Sequence, residues 1–584
     1  MLSDSSSDDL HSSLSSIING VESPVGSTSS TAPSSFDDDI TPFPSPVLSA
    51  RHLAGLSLGE NGDLVSEVDE DKVITEQDIT DAVEMKAKAN QAFAAKEFNK
   101  SIELYTEAIA LNPKDSTFWN NRAMSKAKME EHGGAISDAS KAIELNPQYS
   151  KAYYRRGTSY LSILRPTDAV TDFKKALSID PSNRAARDQL NMTVKLIRRI
   201  EFEKAISIGE TESTSSRCLS LIAQGACALD TSSLSDMPLP QIPSDPNARY
   251  TPTPEFVEGM IDTFKKGGKV PKRIAWEIIL GVKDLLDKEK SLVEVEVPEG
   301  VTCDIVGDTH GVRIEGHLLR DIIDVQVPSA ILRCDWVDRG SWGVEVVLTI
   351  FAYKWLYPHR VMLNRGNHET SDMNKVYGFE GECKAKHGEM TYKLFADVFT
   401  AVPLATLLTA SLPPSNPRSE GSKAAILSSE GKKRYFIVHG GPPVSKDGVT
   451  LDEVKAIDRY GKQPGQEGLM CELLWTDPQE QIGRGPSKRG VGLGFGPDVT
   501  RRWCELNKVT AVIRSHEVRA DGYAIEHDGL CITTFSCPNY CDVTGNKAAF
   551  VKMQPDGQLS YHQFDAVPHP AVKPMAYSSG FNFM

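Results

Sequence analysis

A six-residue pattern that ends in proline returns at a fixed interval of 34 residues in the first half of the chain. It occupies Ala108–Pro113, Ala142–Pro147 and Ala176–Pro181. Each proline lacks an amide donor and clashes with the turn before it, so it ends a helix. A strict period of this length is typical of stacked helix pairs, each of which buries its apolar face against the next pair. The chain therefore contains a helical repeat array.

The 34-residue interval is the period of the tetratricopeptide repeat (TPR). We predict an all-α TPR superhelix over residues 81–205, with three repeats and a capping helix at Ala185–Ala205. Residues 1–80 are rich in Ser, Asp, Thr and Pro, and this composition predicts a disordered tail. Residues 206–250 are rich in Ser, Thr and Pro, which predicts a flexible linker.

Cationic and amide side chains recur on the first helix of each predicted repeat. They are Lys86, Asn90, Asn121, Lys151 and Arg155. Residues four apart share a helix face, and such donors suit a peptide that ends in a carboxylate. These positions resemble the carboxylate clamp of chaperone-binding TPR domains, which implies the acidic C-terminal peptide of a heat-shock protein 90-type chaperone as partner. The alternative is an ordinary solvated helix face.

One sequence pattern recurs in the second half of the chain, residues 251–584. In each case a short apolar run is followed by a loop of polar residues and glycines. The loops are Gly307–Gly311, Asp335–Gly340, Arg365–Glu369, His439–Gly441, Arg514–Glu517 and Ser536–Tyr540. Buried strands that deliver polar residues at one sheet edge bring them into one cleft. We therefore predict an α/β catalytic unit, in which the Ser/Pro/Lys-rich insertion 411–433 is a surface loop.

These motifs, in this order, resemble the phosphoprotein phosphatase family of metallophosphoesterases over about residues 81–205 and 295–575. The resemblance implies a central β-sandwich flanked by helices and hydrolysis of phosphoserine and phosphothreonine by a metal-bridged hydroxide. It implies metal ligands at Asp308, His310, Asp335, Asn367, His439 and His516. Carboxylate, imidazole and amide ligands suit two divalent ions, either Mn or Fe/Zn.

The resemblance also implies catalytic roles beyond the metal ligands. His368 would protonate the leaving oxygen, and Asp338 would orient its imidazole. Arg339 and Arg489 would hold the phosphoryl oxygens, since a planar guanidinium matches them in pairs. Tyr540 would add a hydroxyl to the same site.

Glu130 aligns with the acidic residue through which the family's TPR module covers its own active site. The sequence departs from the family over residues 312–333, at Cys334 in place of the usual glycine, and at Asn364 in place of an apolar residue. A phosphatase unit damaged by this segment would leave a TPR adaptor. A further alternative is a metallophosphoesterase that acts on nucleotides or small phosphomonoesters.

Composition bounds the partners and the compartment. The net charge of −15 argues against nucleic-acid binding. The ten cysteines form no Cys-x-x-Cys pair and no regular framework, which favours a reducing compartment. The chain starts without a signal peptide and has no apolar run of membrane-spanning length. We therefore expect a cytoplasmic and nuclear protein without a membrane span.

Overall fold

Parts of the predicted organisation lie outside the residues that the structure describes. The computed structural model describes residues 56–58, 64–66, 73–207, 212–229, 237–245, 248–298, 300–311, 329–333, 335–410, 432–568 and 572–578. Nearly all of the predicted tail and of the 411–433 insertion, the divergent residues 312–328 and Cys334 fall outside this set. The described residues belong to one compact unit, Leu53–Met584.

A short antiparallel strand pair precedes the helical region. The pair consists of β1 (Leu56–Leu58) and β2 (Leu64–Ser66). The repeat region follows as α1 (Glu76–Ala94), α2 (Phe98–Leu111), α3 (Ser116–Lys128), α4 (His132–Leu145), α5 (Ser150–Ser162), α6 (Pro166–Ile179) and α7 (Arg184–Ser207). Helix α7 corresponds to the predicted capping helix.

Helix α1 begins at Glu76, ahead of the predicted start at residue 81. The cause is a capping box. The Thr75 hydroxyl accepts a hydrogen bond from the Asp78 amide at 3.1 Å, and the Asp78 carboxylate accepts one from the Thr75 amide at 2.9 Å. These bonds satisfy amides that the first helical turn leaves unpaired, so they extend the helix into the predicted tail.

The 34-residue period is visible in the backbone of the turns that join the helices of each pair. Lys96, Glu130 and Leu164 occupy equivalent turns, and all three have left-handed φ values, of 64°, 63° and 60°. Ala108, Ala142 and Ala176, which begin the three repeated segments, are fully buried. Glu130 therefore lies at the tip of the α3–α4 hairpin, where its side chain projects from the array.

The predicted linker contains a helix, so it is not flexible throughout. Helices α8 (Thr214–Ala223), α9 (Pro254–Lys265) and α10 (Lys272–Leu286) lead into the second half of the chain. Cys218 and Ile222, one turn apart on α8, are buried in the same apolar cluster as α9 and α10. This pair of apolar residues is enough to dock a short helix that Ser/Thr-rich composition concealed.

The catalytic unit is a sandwich of two sheets with helices around it. The next elements are β3 (Leu292–Val297), β4 (Cys303–Val306), β5 (Ser329–Arg333), α11 (Gly343–Leu356), β6 (Val361–Asn364), α12 (Ser371–Tyr377), α13 (Phe379–His387), α14 (Glu389–Ala401), β7 (Ala405–Ala410) and β8 (Lys433–Val438). They are followed by α15 (Leu451–Lys455), α16 (Leu469–Trp475), β9 (Asp477–Pro478), β10 (Arg484–Pro486), β11 (Leu493–Phe495), α17 (Pro497–Asn507), β12 (Ala511–Arg514), β13 (Tyr523–Glu526), β14 (Cys531–Thr534), β15 (Ala548–Met553) and β16 (Leu559–Phe564). Single 3-10 turns occupy His527–Gly529 and Tyr540–Asp542.

Among the described strands, one sheet has the order β13-β14-β12-β8-β7-β3 and the other has the order β16-β15-β4-β5-β6. A small third sheet has the order β10-β11-β9. Apolar side chains from both large sheets, including Ile305, Leu408, Ile437, Ile513 and Val551, form the core between them. Strands β4, β5 and β6 run parallel, as do β8, β12 and β14, so each set delivers its following loops at one edge.

Asn364, at the end of β6, ties the two sheets together. Its Nδ2 donates to the Ile437 carbonyl at 3.0 Å, and its Oδ1 accepts from the Thr406 hydroxyl at 2.7 Å. Ile437 and Thr406 are paired residues of β8 and β7. The departure at Asn364 therefore has a structural reason: at this buried position its amide bonds two polar groups of the other sheet.

Over the described residues, no helix combines the length and the apolar character needed to cross a lipid bilayer.

Candidate functional site

Loops at the carboxyl ends of the parallel strands bring the predicted metal ligands into one buried cluster. Asp335 lies at its centre. Its Oδ2 is 3.3 Å from His439 Nε2 and 3.7 Å from His310 Nε2. Asp308 Oδ1 lies 3.4 Å from His439 Nδ1. Asp335 is therefore placed between the ligands of two neighbouring positions, as a bridging carboxylate must be.

The remaining predicted ligands surround His439. The Asn367 side-chain amide is 2.8 Å from His439 Nε2, and His516 Nδ1 is 2.9 Å from the same atom. The described residues contain two candidate ligand groups that share Asp335, His310–Asp335–His368 and Asp335–His439–His516. The second group matches the predicted ligands, whereas the first draws in His368, which we expected to act on the substrate.

The cluster fits a pair of divalent cations. Asp308 Oδ1, His439 Nδ1 and His516 Nε2 are buried and make no hydrogen bond within the described part of the chain. Burial, and after it the charge of Asp308, raises the pKa of Asp335 well above its usual range. Buried carboxylates and unpaired imidazole nitrogens are unfavourable unless positive charge and a ligated ion satisfy them. Carboxylate, imidazole and amide donors are those that Mn, Fe and Zn accept.

The backbone at Asp335 is held by a carboxylate that the sequence analysis left without a role. Asp335 has a left-handed φ of 56°. The buried Glu369 carboxylate accepts hydrogen bonds from the amides of Asp335, Trp336 and Gly366, each at 2.9 Å. Burial raises the pKa of Glu369 to about 7. The only sequence signal for this role is an acidic residue that closes an otherwise ligand-bearing loop.

His368 and Asp338 form the predicted pair. His368 Nδ1 lies 2.9 Å from Asp338 Oδ2, and the Phe379 amide donates to Asp338 Oδ1 at 2.8 Å. Asn374 Nδ2 donates to Asp338 Oδ2 at 3.1 Å and to the His368 carbonyl at 2.7 Å. Burial, and after it the charge of Arg339, holds the pKa of His368 well below its usual range. The imidazole is therefore oriented through Asp338, which the Phe379 amide and the Asn374 side chain hold in place.

The predicted phosphate-binding residues converge on Glu130 of the repeat region. Arg339 Nη2 lies 2.7 Å from Glu130 Oε1, and Arg489 Nη1 lies 3.8 Å from Oε2. The Tyr540 hydroxyl donates to Glu130 Oε1 at 3.0 Å. Burial would raise the pKa of Glu130, but Arg339 and Arg489 outweigh it and lower that pKa to about 2. The cleft therefore holds an ionised carboxylate against its cationic wall. Asp477 Oδ2 accepts from Arg489 Nε at 2.7 Å and fixes that side chain.

The predicted peptide clamp is distributed over α1, α3 and α5. Arg155 Nη1 donates to Asn121 Oδ1 at 3.3 Å, which joins α5 to α3. Lys86 Nζ donates to the Thr117 hydroxyl at 2.8 Å and joins α1 to α3. The Tyr105 hydroxyl donates to Asn90 Oδ1 at 2.5 Å, and Lys151 is exposed at the start of α5. The structure thus aligns these residues along the first helices of the three repeats.

Comparison with known proteins places this architecture in a family. A model described as calcineurin-like phosphoesterase matches residues 302–520, one described as PPP5 TPR repeat region matches residues 190–294, and one described as tetratricopeptide repeat matches residues 150–183. Serine/threonine-protein phosphatase T of Aspergillus oryzae is 44% identical over 86% of this chain and 98% of its own length. The protein of that name from Schizosaccharomyces pombe is 47% identical over 86% of this chain and 98% of its own length. Human serine/threonine-protein phosphatase 5 is 38% identical over 85% of this chain and 93% of its own.

The chain belongs to the serine/threonine-protein phosphatase 5 and T family. This membership confirms the predicted resemblance and the predicted combination of a TPR region with an α/β metallophosphoesterase domain. It also confirms the predicted enzyme class, a metal-dependent protein serine/threonine phosphatase.

The central position of Asp335 generates a prediction about metal content. Asp335→Asn keeps the shape of the side chain but removes the charge that two cations would share, so bound Mn should fall from about two ions per chain to about one or fewer. Metal analysis by mass spectrometry after desalting measures this directly. Asp338→Asn is the matched control: it is equally buried and isosteric, lies beside the cluster and should retain the wild-type content. Equal metal content in both variants would contradict the bridging position.

Proposed function

We propose that this phosphatase hydrolyses phosphoserine and phosphothreonine in proteins, and that its TPR region covers the active site and docks a chaperone. One observation carries the catalytic part. An anionic carboxylate, that of Glu130, lies against Arg339, Arg489 and Tyr540 beside the ligand cluster. A site that accepts a carboxylate on two guanidiniums suits a phosphoryl group, which offers more oxygens and more charge.

The predicted ligands Asp308, His310, Asp335, Asn367, His439 and His516 would hold two divalent cations, Mn or Fe/Zn. When bound, such cations lower the pKa of water and offset negative charge on phosphoryl oxygens.

His368 is the residue best placed to donate a proton to the leaving serine or threonine oxygen. Asp338 holds its Nδ1, so the other ring nitrogen is left for the substrate. Burial favours the neutral imidazole, but the charge of an incoming phosphate favours the protonated form. A substrate anion would therefore favour the protonated form of His368 at the moment when a proton donor is needed.

The catalytic proposal is tested with a phosphoserine peptide and Mn, by following phosphate release. His368→Gln should lower kcat by about 100-fold or more, because it removes the proton donor. It should do so without loss of bound metal, since Gln can keep a polar contact with Asp338. A wild-type chain that binds metal but releases no phosphate would favour the TPR adaptor instead.

The proposal that the TPR region covers the site is supported by a close backbone contact beside Glu130. The Gly134 amide donates to the Lys488 carbonyl at 3.0 Å. A Cβ placed on Gly133 would lie 2.5 Å from the amide nitrogen of Gly490 and 2.7 Å from the carbonyl oxygen of Ser487. Only a glycine allows the hairpin tip to approach the catalytic unit this closely.

This contact predicts that a single methyl group opens the enzyme. Gly133→Ala should raise basal phosphopeptide turnover about fivefold or more, because overpacking against fixed backbone costs about 1–3 kcal/mol in the closed state. The change does not weaken α4, since alanine is a better helix former than glycine. Gly134→Ala is the matched control, because its Cβ meets only the flexible end of Lys126, at 3.1 Å. Equal basal rates for the two variants would argue against a covered site.

The chaperone proposal rests on the cations and amides aligned along α1, α3 and α5. It predicts that Lys151→Glu with Arg155→Glu weakens binding of an acidic C-terminal peptide more than about tenfold, since each contact to a carboxylate contributes about 1.5–3 kcal/mol. Calorimetry with the free-acid peptide and its C-terminal amide measures the effect. Lys174→Glu, an exposed charge reversal on α6, is the control and should leave affinity unchanged. If neither the charge reversals nor the C-terminal amide changes the affinity, these residues form an ordinary solvated helix face instead of a peptide clamp.

A further inference from the structure

Tyr377, the last residue of α12, packs against two groups of the proposed site. The Arg339 guanidinium carbon lies 3.9 Å from the centroid of the Tyr377 ring. The His368 ring meets the same phenol edge to face, with centroids 5.2 Å apart and planes at 61°. The Arg339 amide also donates to the Tyr377 carbonyl, at 3.3 Å. The phenol is almost completely buried, so water does not screen these contacts.

The stack acts on an arginine that has few other fixed partners. Arg339 Nε is buried and makes no hydrogen bond within the described part of the chain. The carboxylate that meets its Nη2 belongs to Glu130, which is carried by the TPR region. If that region leaves the site, Arg339 loses its contact with the Glu130 carboxylate and keeps its contact with the face of the Tyr377 ring. A guanidinium held over an aromatic ring has fewer orientations open to it, and its orientation decides which phosphoryl oxygens it can meet.

The other end of Tyr377 contacts the repeat region. Its hydroxyl donates to the carbonyl of Ser162, the last residue of α5, at 2.9 Å. One side chain therefore joins the catalytic unit and the repeats through separate atoms. The ring and the hydroxyl can be removed independently, by leucine and by phenylalanine.

We infer that Tyr377 is a positioning residue for phosphate recognition, whose ring holds Arg339 in the plane that binds a phosphoryl group while its hydroxyl ties the repeat region to the catalytic unit. The inference rests on the proposed function of the cleft. It assigns the ring of Tyr377 to phosphate recognition and its hydroxyl to docking of the repeat region.

Inorganic phosphate, titrated by calorimetry into the Mn-loaded full chain, tests the role of the ring. The chain carries Glu130→Ala, so that no carboxylate competes for Arg339. Tyr377→Leu should weaken phosphate binding about five- to tenfold, because the cation–π contact is lost. Tyr377→Phe keeps the ring and should bind within about twofold of the parent, and Tyr377→Trp should restore the stack.

The hydroxyl is tested in the chain that retains Glu130. There Tyr377→Phe should raise basal phosphopeptide turnover about two- to tenfold, since one docking hydrogen bond is lost. Metal content and the thermal midpoint check that each variant is folded. If the leucine variant loses its metal, Tyr377→Met replaces it as a flexible apolar substitute for the ring.

The inference is overturned if the folded Tyr377→Leu variant binds phosphate as tightly as the parent chain. It is also overturned if Tyr377→Phe loses as much phosphate affinity as Tyr377→Leu. The parent chain could hydrolyse no phosphopeptide and still bind phosphate more tightly than Tyr377→Leu. That result would contradict the proposed hydrolysis but support the positioning role of the ring. The two failures are therefore distinguishable.

Discussion

Three backbone amides converge on the buried carboxylate of Glu369, and the ligand cluster depends on that convergence. Two of the amides belong to the turn at Asp335 and one to the loop that carries Asn367 and His368. The two carboxylate oxygens offer enough lone pairs for all three amides, which burial would otherwise leave without a partner. The hydrogen bonds also bring two loops from different strands to a common acceptor. The positions of Asp335 and of His368 are therefore set together.

This arrangement explains how Asp335 adopts a left-handed conformation that non-glycine residues seldom take. Such strain costs on the order of 1–3 kcal/mol and persists only where the surroundings over-determine it. The surroundings here are Glu369 on the backbone and the His368 amide on the Asp335 carboxylate, at 2.9 Å.

The sequence predicted those features that obey a period or a local rule. The 34-residue interval located the repeats, and the strand-then-loop pattern located the loops that meet at the cluster. The family resemblance then selected the candidate ligands within those loops. The start of α1 and the presence of α8 were not predicted. The signal for the first is a capping box and the signal for the second is a pair of apolar residues, and both are weak within a polar stretch. Glu369, Asn364 and Tyr377 were beyond reach for a different reason. Their partners lie far away in the chain, and only the assembled sheets show which amides and rings they meet.

If the TPR region covers the site as proposed, a single side chain of the repeat array contributes the competing anion. Lys96, Glu130 and Leu164 share one backbone conformation at equivalent tips, yet of these three residues only Glu130 is acidic. That carboxylate and a substrate phosphate would meet the same Arg339 guanidinium, so each excludes the other. Because linkage is reciprocal, whatever favours release of the hairpin tip favours substrate binding to the same extent, and a bound phosphoprotein favours release. The proposed closure is shared among several kinds of contact. They include the Glu130 carboxylate, the hydroxyls of Tyr377 and Tyr540, the ion pair of Lys375 with Glu203, and apolar side chains of both regions in one cluster. Competition for Arg339 therefore acts on only one part of that docking surface.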